Sequence, residues 1–118
     1  MLGHGSPLKG FDSDMRKVVK ELAKKESGPL VVAAFLGSQK PSLEETIDTL
    51  VKKKIAKIFV LPYFLLKGRH TQMHIPEIVN NSAKKYKNKS SIVLCDYIGY
   101  DSRLVDILKT RIQQTPCR

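Results

Sequence analysis

The stretch IFVLPYFL, residues Ile58–Leu65, decides the fold of this chain. It is apolar almost throughout and does not alternate with polar residues, which is typical of a strand covered on both faces. Two further runs have the same character, LVVAAF at Leu30–Phe35 and SIVLC at Ser91–Cys95. The sequence therefore predicts three strands of a parallel sheet that lies between two layers of helices.

Helical patterns precede, separate and follow these strands. Apolar residues recur at spacings of three and four in four segments, whose first apolar members are Met15, Leu43, Ile78 and Leu104. The second segment opens with the capping box Ser42-Leu43-Glu44-Glu45, and Asp101 or Ser102 caps the fourth. Pro76 favours a first helical turn, so we expect the third helix to begin near Ile75, with His70 outside it.

This order predicts an α/β fold, a single three-layer αβα domain over residues 1–118 with a mostly parallel sheet. No apolar run precedes the first helix, although the first strand of a doubly wound sheet normally lies in its middle. We therefore expect the first strand to be missing or truncated, which would leave a gap with unpaired backbone groups at the centre of the sheet.

Composition limits the cellular setting. No apolar run approaches the roughly 20 residues of a membrane span, and MLGHGSP does not resemble a signal peptide. Cys95 and Cys117 lie far apart and form no CxxC pair, so a disulfide framework is not expected. We expect a cytoplasmic protein with no membrane partner.

The charge predicts an anionic partner. The chain has 21 Lys and Arg against 11 Asp and Glu, a net charge of +10. Nucleic acid, a membrane surface or a polyanionic small molecule would each be attracted. Nucleic acid is disfavoured because no binding motif and no interleaving of aromatic and basic residues is present. The alternative is that most lysines only solvate helix faces.

The histidines lie where a ligand is expected. Ligands of open parallel sheets bind outside the carboxyl ends of the strands, and GHGSP, LGSQKP and KGRHTQMH occupy that edge. All 3 histidines of the chain, His4, His70 and His74, fall in two of these segments. Imidazole binds divalent Fe, Co, Ni and Zn and accepts a proton near neutral pH. For His74, a surface position beside the helix start is the alternative.

Several segments together resemble the small CbiX-type sirohydrochlorin chelatases, within the class II chelatases. The matching segments are GHGS at Gly3–Ser6, the stretch Ala34–His70, IPEIV at Ile75–Val79 and the stretch Gly99–Ile112. GHGS alone is a weak signal, but PS, PxFL and GxH follow it in the family's order. The resemblance implies insertion of Co²⁺, Fe²⁺ or Ni²⁺ into sirohydrochlorin, in cobalamin or sirohaem-type biosynthesis, by a homodimer. The metal is then a substrate, and no organic cofactor is expected.

The resemblance also assigns residues. His4 and His70 match the family's two histidines, which bind the metal and accept pyrrole protons. Sirohydrochlorin is a polycarboxylate, which gives the positive charge a specific partner. Candidate substrate contacts at the same edge are Ser6, Lys9, Lys40, Lys67 and Arg69. Surface solvation is the alternative for each lysine.

Two substitutions depart from the family pattern. Gly37 stands where the family has a metal-site carboxylate, and His74 replaces the aspartate of DIP. Our hypothesis is that His74 adds an imidazole to the metal site, because Glu44 lies within the capping box and serves the helix. The loss of a carboxylate also leaves open an alternative function, a non-catalytic homologue that holds a tetrapyrrole or a metal.

Overall fold

The structure, a computed structural model, describes residues 1–25 and 30–117, without the side chains of Lys25 and His70. Strands and helices alternate along the chain, which confirms the α/β class. The elements are β1 Leu2–Gly3, α1 Ser13–Lys25, β2 Ala34–Phe35, α2 Leu43–Lys52, β3 Lys57–Val60, a π-helical turn His70–His74, α3 Ile75–Lys85, β4 Ser91–Leu94 and α4 Ser102–Gln114. Within the described ranges, no helix is long and apolar enough to cross a membrane.

The first strand of the sheet is present but very short. β1 pairs in parallel with β2, β3 pairs in parallel with β4, and a parallel bridge from Leu2 to Pro62 joins the two pairs. The strand order is therefore β2-β1-β3-β4, with β1 in the middle. Of the two alternatives, a missing or a truncated first strand, the structure has the second: β1 is a strand of 2 residues, which is too short to show as an apolar run.

The other strands are shorter than their apolar runs. Of Leu30–Phe35, only Ala34–Phe35 is strand, and these two residues pair with Leu2 and Gly3 of β1. β3 ends at Val60, two residues before Pro62, which has no N–H to donate to a sheet. Only the first three of the eight residues of IFVLPYFL are thus part of β3.

One face of the sheet holds the main core. Leu43, Ile47 and Val51 of α2 are buried, and they form one cluster with the buried residues of α3 and of β3. The predicted capping box is confirmed: the Glu45 N–H donates to Ser42 Oγ (3.2 Å), and the Ser42 N–H donates to the Glu45 carboxylate (3.1 Å). This box fixes where α2 begins, directly after the loop that follows β2.

The other face is only partly covered. Met15 of α1 packs with Phe35 over the β2 side, but Phe59 of β3 is 57% exposed and Val93 of β4 is 37% exposed. The prediction that β3 and β4 are covered on both faces is therefore wrong for the single chain. α4 shows the same feature: Leu108 and Ile112 are 63% and 75% exposed, although their helical spacing was predicted correctly.

The third helix, α3, begins at Ile75, where the sequence predicts it. A π-helical turn spans His70–His74 and runs directly into α3. Its start is held by Thr71, whose hydroxyl accepts from the Gly68 N–H (2.9 Å) and donates to the Gly68 carbonyl (3.0 Å). Pro76 lies in the first turn of α3, which confirms that it marks the start of this helix. His70 is part of the π-helical turn that precedes α3.

Candidate functional site

The loops after β1 and β2 enclose a pocket at the carboxyl edge of the sheet. Its volume is 390 Å³. The residues that line it are His4, Gly5, Ser6, Pro7, Leu36, Gly37, Ser38 and Gln39. Two of the three segments predicted to meet at this edge, GHGSP and LGSQKP, are thus brought together, with the first candidate metal ligand on the pocket wall.

Gly5 permits this close approach of the two loops. A Cβ atom at Gly5 would lie 2.4 Å from Cγ of Gln39 and 2.6 Å from the carbonyl oxygen of Leu36. Real Cβ atoms do not approach a backbone oxygen so closely. The Leu36 N–H also donates to the Gly3 carbonyl at 3.0 Å. Gly5 is therefore required for this packing, and the pocket depends on it.

His4 is positioned by a residue from a third loop. Its ring packs edge-to-face on the ring of Phe64, with 4.3 Å between centroids and 72° between planes. Phe64 is buried, and its carbonyl accepts from the Gly99 N–H at 3.4 Å, which links the loop after β4. Sequence reasoning missed this role because Phe64 belongs to an apolar run that was interpreted as strand. The signal that was available is Pro62, after which pairing to a sheet is unfavourable.

Ser6 shapes the loop that holds His4. Its Oγ accepts a hydrogen bond from the Leu8 N–H at 3.1 Å, an arrangement in which a serine hydroxyl closes a local turn. Ser6 also lines the pocket. Its hydroxyl therefore orders the loop as an acceptor and can still donate a hydrogen bond to a ligand bound in the pocket.

The remaining histidines lie on the π-helical turn. His70 and His74 are its first and last residues; the His74 side chain is exposed, and the His70 side chain is outside the described part of the structure. Among the described residues, no group of three or more His, Cys, Asp and Glu is arranged to hold a metal ion. Gly37 has φ +73°, and a Cβ there would meet no described atom within 4 Å.

The basic residues separate into two groups. Lys9, Lys67 and Arg69 are exposed in the loops of this edge. Lys40 instead donates from Nζ to Oε1 of Glu45 at 2.6 Å, and this hydrogen bond, with those from Ser42, lowers the pKa of the Glu45 carboxyl. Glu45, and not Glu44, is the reciprocal partner in the capping box. Lys40 is thus already engaged with the start of α2.

Comparison of the sequence with known proteins identifies similar enzymes. The sequence model of a family described as CbiX matches residues 1–115. A protein from Sulfolobus acidocaldarius named sirohydrochlorin cobaltochelatase is 32% identical over 111 residues, which cover 94% of this chain and 85% of that protein. A protein from Arabidopsis thaliana named chloroplastic sirohydrochlorin ferrochelatase is 26% identical over 113 residues, which cover 96% of this chain and 50% of that protein.

Solved structures show the same architecture. The sirohydrochlorin chelatase SirB from Bacillus subtilis subspecies spizizenii, in complex with cobalt, superposes with a TM-score of 0.84 at 28% identity over 95% of this chain and 47% of SirB. A CbiX protein from Marinobacter aquaeolei VT8 superposes with a TM-score of 0.78 at 21% identity, covering 97% of this chain and 95% of that one. The second likeness concerns the fold alone.

Proposed function

Because the chain belongs to the CbiX family, we propose that it is an enzyme that inserts a divalent metal ion, Co²⁺ or Fe²⁺, into sirohydrochlorin. The observation that supports this most is the wall of the pocket, where a histidine of the GHGS loop stands at the carboxyl edge of a parallel sheet. The reaction joins one metal ion to the macrocycle and releases the two protons of its pyrrole N–H groups. The protein must therefore present a metal and accept protons at one place.

His4 suits both tasks. A neutral imidazole binds a divalent metal through one nitrogen, and imidazole takes up protons near neutral pH. The edge-to-face contact with Phe64 limits the directions that the His4 ring can take. Because the metal is a substrate and must leave, a site with few imidazole ligands is more suitable than a closed four-ligand site. We assign His70 as the second ligand and proton acceptor.

His74 replaces the carboxylate that Gly37 does not provide. A carboxylate at the pocket wall would hold the metal by charge, whereas Gly37 leaves that wall open. His74 ends the turn that His70 begins, so the two residues share one short helical segment. We assign His74 as an auxiliary metal ligand.

The substrate carboxylates meet positive charge at the same edge. Lys9, Lys67 and Arg69 are exposed there, and the guanidinium of Arg69 can bind a carboxylate through two parallel hydrogen bonds. Ser6 offers a hydroxyl from the pocket wall. Lys40 contributes less, because its ammonium is paired with Glu45. Pairing of this kind orients the macrocycle over the histidines without taking part in the chemistry.

An absorption assay tests the proposal. The chain is incubated with sirohydrochlorin and Co²⁺, Fe²⁺ or Ni²⁺ without oxygen, and the spectral change of insertion is followed. We expect insertion above the spontaneous rate, reduced about 100-fold or more in His4→Ala and in His70→Ala. Asn81→Ala, an exposed residue of α3, is the matched control and should keep the full rate. Spontaneous-rate insertion with all three metals would overturn the proposal.

A second candidate function is binding without catalysis. It is favoured by Gly37, since the described residues that line the pocket include no Asp or Glu. In the same assay, a binding protein would hold sirohydrochlorin or the metal tightly and leave the insertion rate unchanged. The two functions therefore give different outcomes from one set of reagents.

We also propose that the chain works as a homodimer in the cytoplasm. Two apolar surfaces support the dimer: the face of β3 and β4 that includes Phe59 and Val93, and the side of α4 that includes Leu108. No described helix of the same chain covers Phe59 and Val93 on this face, and α4 of a second copy would provide the missing helix layer. The cytoplasm suits the two cysteines, which are free thiols.

A further inference from the structure

Large apolar side chains are exposed in the loops at the carboxyl edge of the sheet. Leu8, in the loop after β1, is 70% exposed, and Leu66, in the loop after β3, is 80% exposed. Further exposed apolar residues in the loops and turns of this edge are Tyr63, Leu65, Met73 and Tyr100. Single apolar residues are common on protein surfaces, but a group of them around one pocket is typical of a ligand site. The group therefore indicates a ligand with an apolar surface of its own.

The opposite, amino edge of the sheet has a different surface. No large apolar side chain is exposed in the loops 53–56 and 86–90, which the structure describes in full. The exposed side chains there include Lys53, Lys54, Lys87 and Lys89. Exposure of apolar residues is therefore not general to the loops of this chain. It is a property of the edge that carries the histidine pocket.

An ordered turn presents Leu8 to the solvent. The Leu8 N–H donates to Ser6 Oγ at 3.1 Å, and the Leu8 carbonyl accepts from the Phe11 N–H at 3.2 Å. The backbone of Leu8 is thus bonded through both of its polar groups, while its side chain stays outside the turn. Ser6 lines the histidine pocket, so Leu8 lies two positions from the pocket wall.

Leu66 lies between two fixed points close to His4. Phe64, two positions earlier, contacts the His4 ring with 4.3 Å between centroids. Gly68, two positions later, is bonded through its N–H and its carbonyl to the Thr71 hydroxyl. Because consecutive Cα atoms are about 3.8 Å apart, the Cα atoms of Leu66 and Phe64 lie within about 8 Å of each other. Leu66 therefore stands beside the residue that positions His4.

A lysine follows each of the two leucines. Lys9 comes directly after Leu8, Lys67 comes directly after Leu66, and both lysines are exposed. In the described part of the chain neither is paired with a carboxylate, in contrast to Lys40. An apolar side chain beside a cation thus occurs on two loops of one edge. A ligand with an apolar face and anionic groups at its rim complements both members of each pair.

We propose that Leu8 and Leu66 bind the flat apolar face of the tetrapyrrole, while Lys9 and Lys67 bind carboxylates at its rim. This inference rests on the proposed function, and it assigns the apolar part of the substrate contact, which the histidines and the cations do not provide. The conjugated ring of sirohydrochlorin is flat and apolar, and its acid side chains project from the rim. Covering the exposed part of each leucine removes apolar surface from water, which favours binding. The two leucines therefore act on the affinity for the macrocycle and not on the chemical step.

A titration with sirohydrochlorin in the absence of metal tests the inference, with the absorption of the ring as the signal. Leu8→Gln and Leu66→Gln keep about the same side-chain size and remove apolar surface, so each should raise Kd about tenfold. Val18→Gln is the matched control, because Val18 is an exposed apolar residue of α1, outside these loops, and it should leave Kd unchanged. A Kd within twofold of the original in both leucine variants would overturn the inference.

Salt separates the apolar contact from the ionic one. At about 1 M salt the screening length falls to about 3 Å, so the several-fold rise in Kd expected for Lys67→Gln at low salt should nearly disappear. The effect of Leu66→Gln should persist, because salt does not screen the burial of apolar surface. If the effect of Leu66→Gln disappears in salt as well, the contact at Leu66 is not apolar and the inference fails.

The inference and the proposed function fail in different ways. In the insertion assay, Leu8→Gln and Leu66→Gln should raise KM and leave kcat and the affinity for Co²⁺ unchanged, whereas His4→Ala lowers kcat. If the leucine variants weaken sirohydrochlorin binding but the original chain inserts no metal, the proposed function is wrong and the inference stands. If the original chain inserts metal and both leucine variants keep its KM, the inference is wrong and the proposed function stands.

Discussion

The ring of His4, from the loop after β1, rests edge-to-face on the ring of Phe64, from the loop after β3, with 4.3 Å between the centroids. The two residues are far apart in the sequence, and they meet because β1 lies between β2 and β3. His4, the proposed metal ligand, is exposed, whereas Phe64, on which it packs, is buried. The fold therefore supplies orientation to His4 through a side chain with no chemistry of its own.

Phe64→Leu should lower the insertion rate more than it lowers stability. Leucine is apolar and of similar size, so the free energy of unfolding should fall by less than about 1.5 kcal/mol. Leucine, however, presents no ring to His4. We expect kcat to fall roughly tenfold with little change in KM, because misplacement of a reacting group affects the chemical step. Phe11→Leu is the matched control, since it removes an edge-to-face pair with Phe35 (5.3 Å) away from the pocket. Equal loss of kcat in both variants would contradict a positioning role.

Local patterns were predicted correctly where neighbours along the chain determine them. The capping box at Ser42 and the cap at Asp101 are formed by residues within three positions of each other, so the sequence contains all that is needed. The apolar spacing of α4 is likewise local. What covers α4 is not, and the sequence could not show that Leu108 stays exposed in a single chain.

The strand β1 and the contact between Phe64 and His4 could not be predicted from the sequence, because both depend on residues that are distant in the chain. β1 has 2 residues. Its strand conformation comes from hydrogen bonds to β2 and to the residues that follow β3, which lie more than thirty positions away in the chain. No periodicity exists over so short a segment. The same holds for Phe64, whose contact with His4 depends on strand order. His4, by contrast, lines a pocket at the carboxyl edge of the sheet, as predicted, because the positions of strand ends follow from the alternation of strands and helices.

Gly5→Ala should destabilise the protein and abolish insertion. The added methyl would lie 2.6 Å from the Leu36 carbonyl oxygen, so the loop must move away from its neighbour, at a cost of about 1–3 kcal/mol. Gly68→Ala is the control, since its Cβ meets no described atom within 4 Å. Thermal unfolding and the insertion assay measure both effects. A Gly5→Ala protein with unchanged Tm would refute the close packing of the two loops.

Gly37→Asp should tighten metal binding. The residue has φ +73°, a conformation that aspartate tolerates better than most residues, and the new carboxylate would stand on the pocket wall. We expect Co²⁺ affinity to rise on the order of tenfold. Gly37→Asn has the same shape and the same backbone strain but no charge, so the difference between the two variants isolates the carboxylate. Equal affinities in a metal titration would mean that Gly37 is too far from the metal to matter.

Glu45→Gln should change how stability depends on pH. Hydrogen bonds from Lys40 and Ser42 lower the pKa of the Glu45 carboxyl in the folded chain. Because the pKa is lower in the folded than in the unfolded chain, ionised Glu45 stabilises the fold fully above the ordinary glutamate pKa of about 4.3. This contribution is lost as the pH falls from there through the lower pKa of the folded chain. The gap in Tm between the original chain and Glu45→Gln should therefore shrink from pH 7 to pH 3. Glu44→Gln, exposed and outside the reciprocal box, should show no such convergence.

Leu108→Glu should convert the proposed homodimer to a monomer. Leu108 is 63% exposed in the single chain, and in the dimer it would pack on the sheet face that includes Phe59. A carboxylate buried there costs about 2 kcal/mol or more, which weakens dimerisation roughly 30-fold. Light scattering over a range of concentrations measures the change. Lys109→Glu alters the charge of α4 by a larger amount at the adjacent position and should leave the dimer intact if the apolar side of α4 is the contact. A dimer that survives Leu108→Glu would move the interface away from α4, and Phe59→Glu on the opposing face would then decide whether the sheet takes part at all.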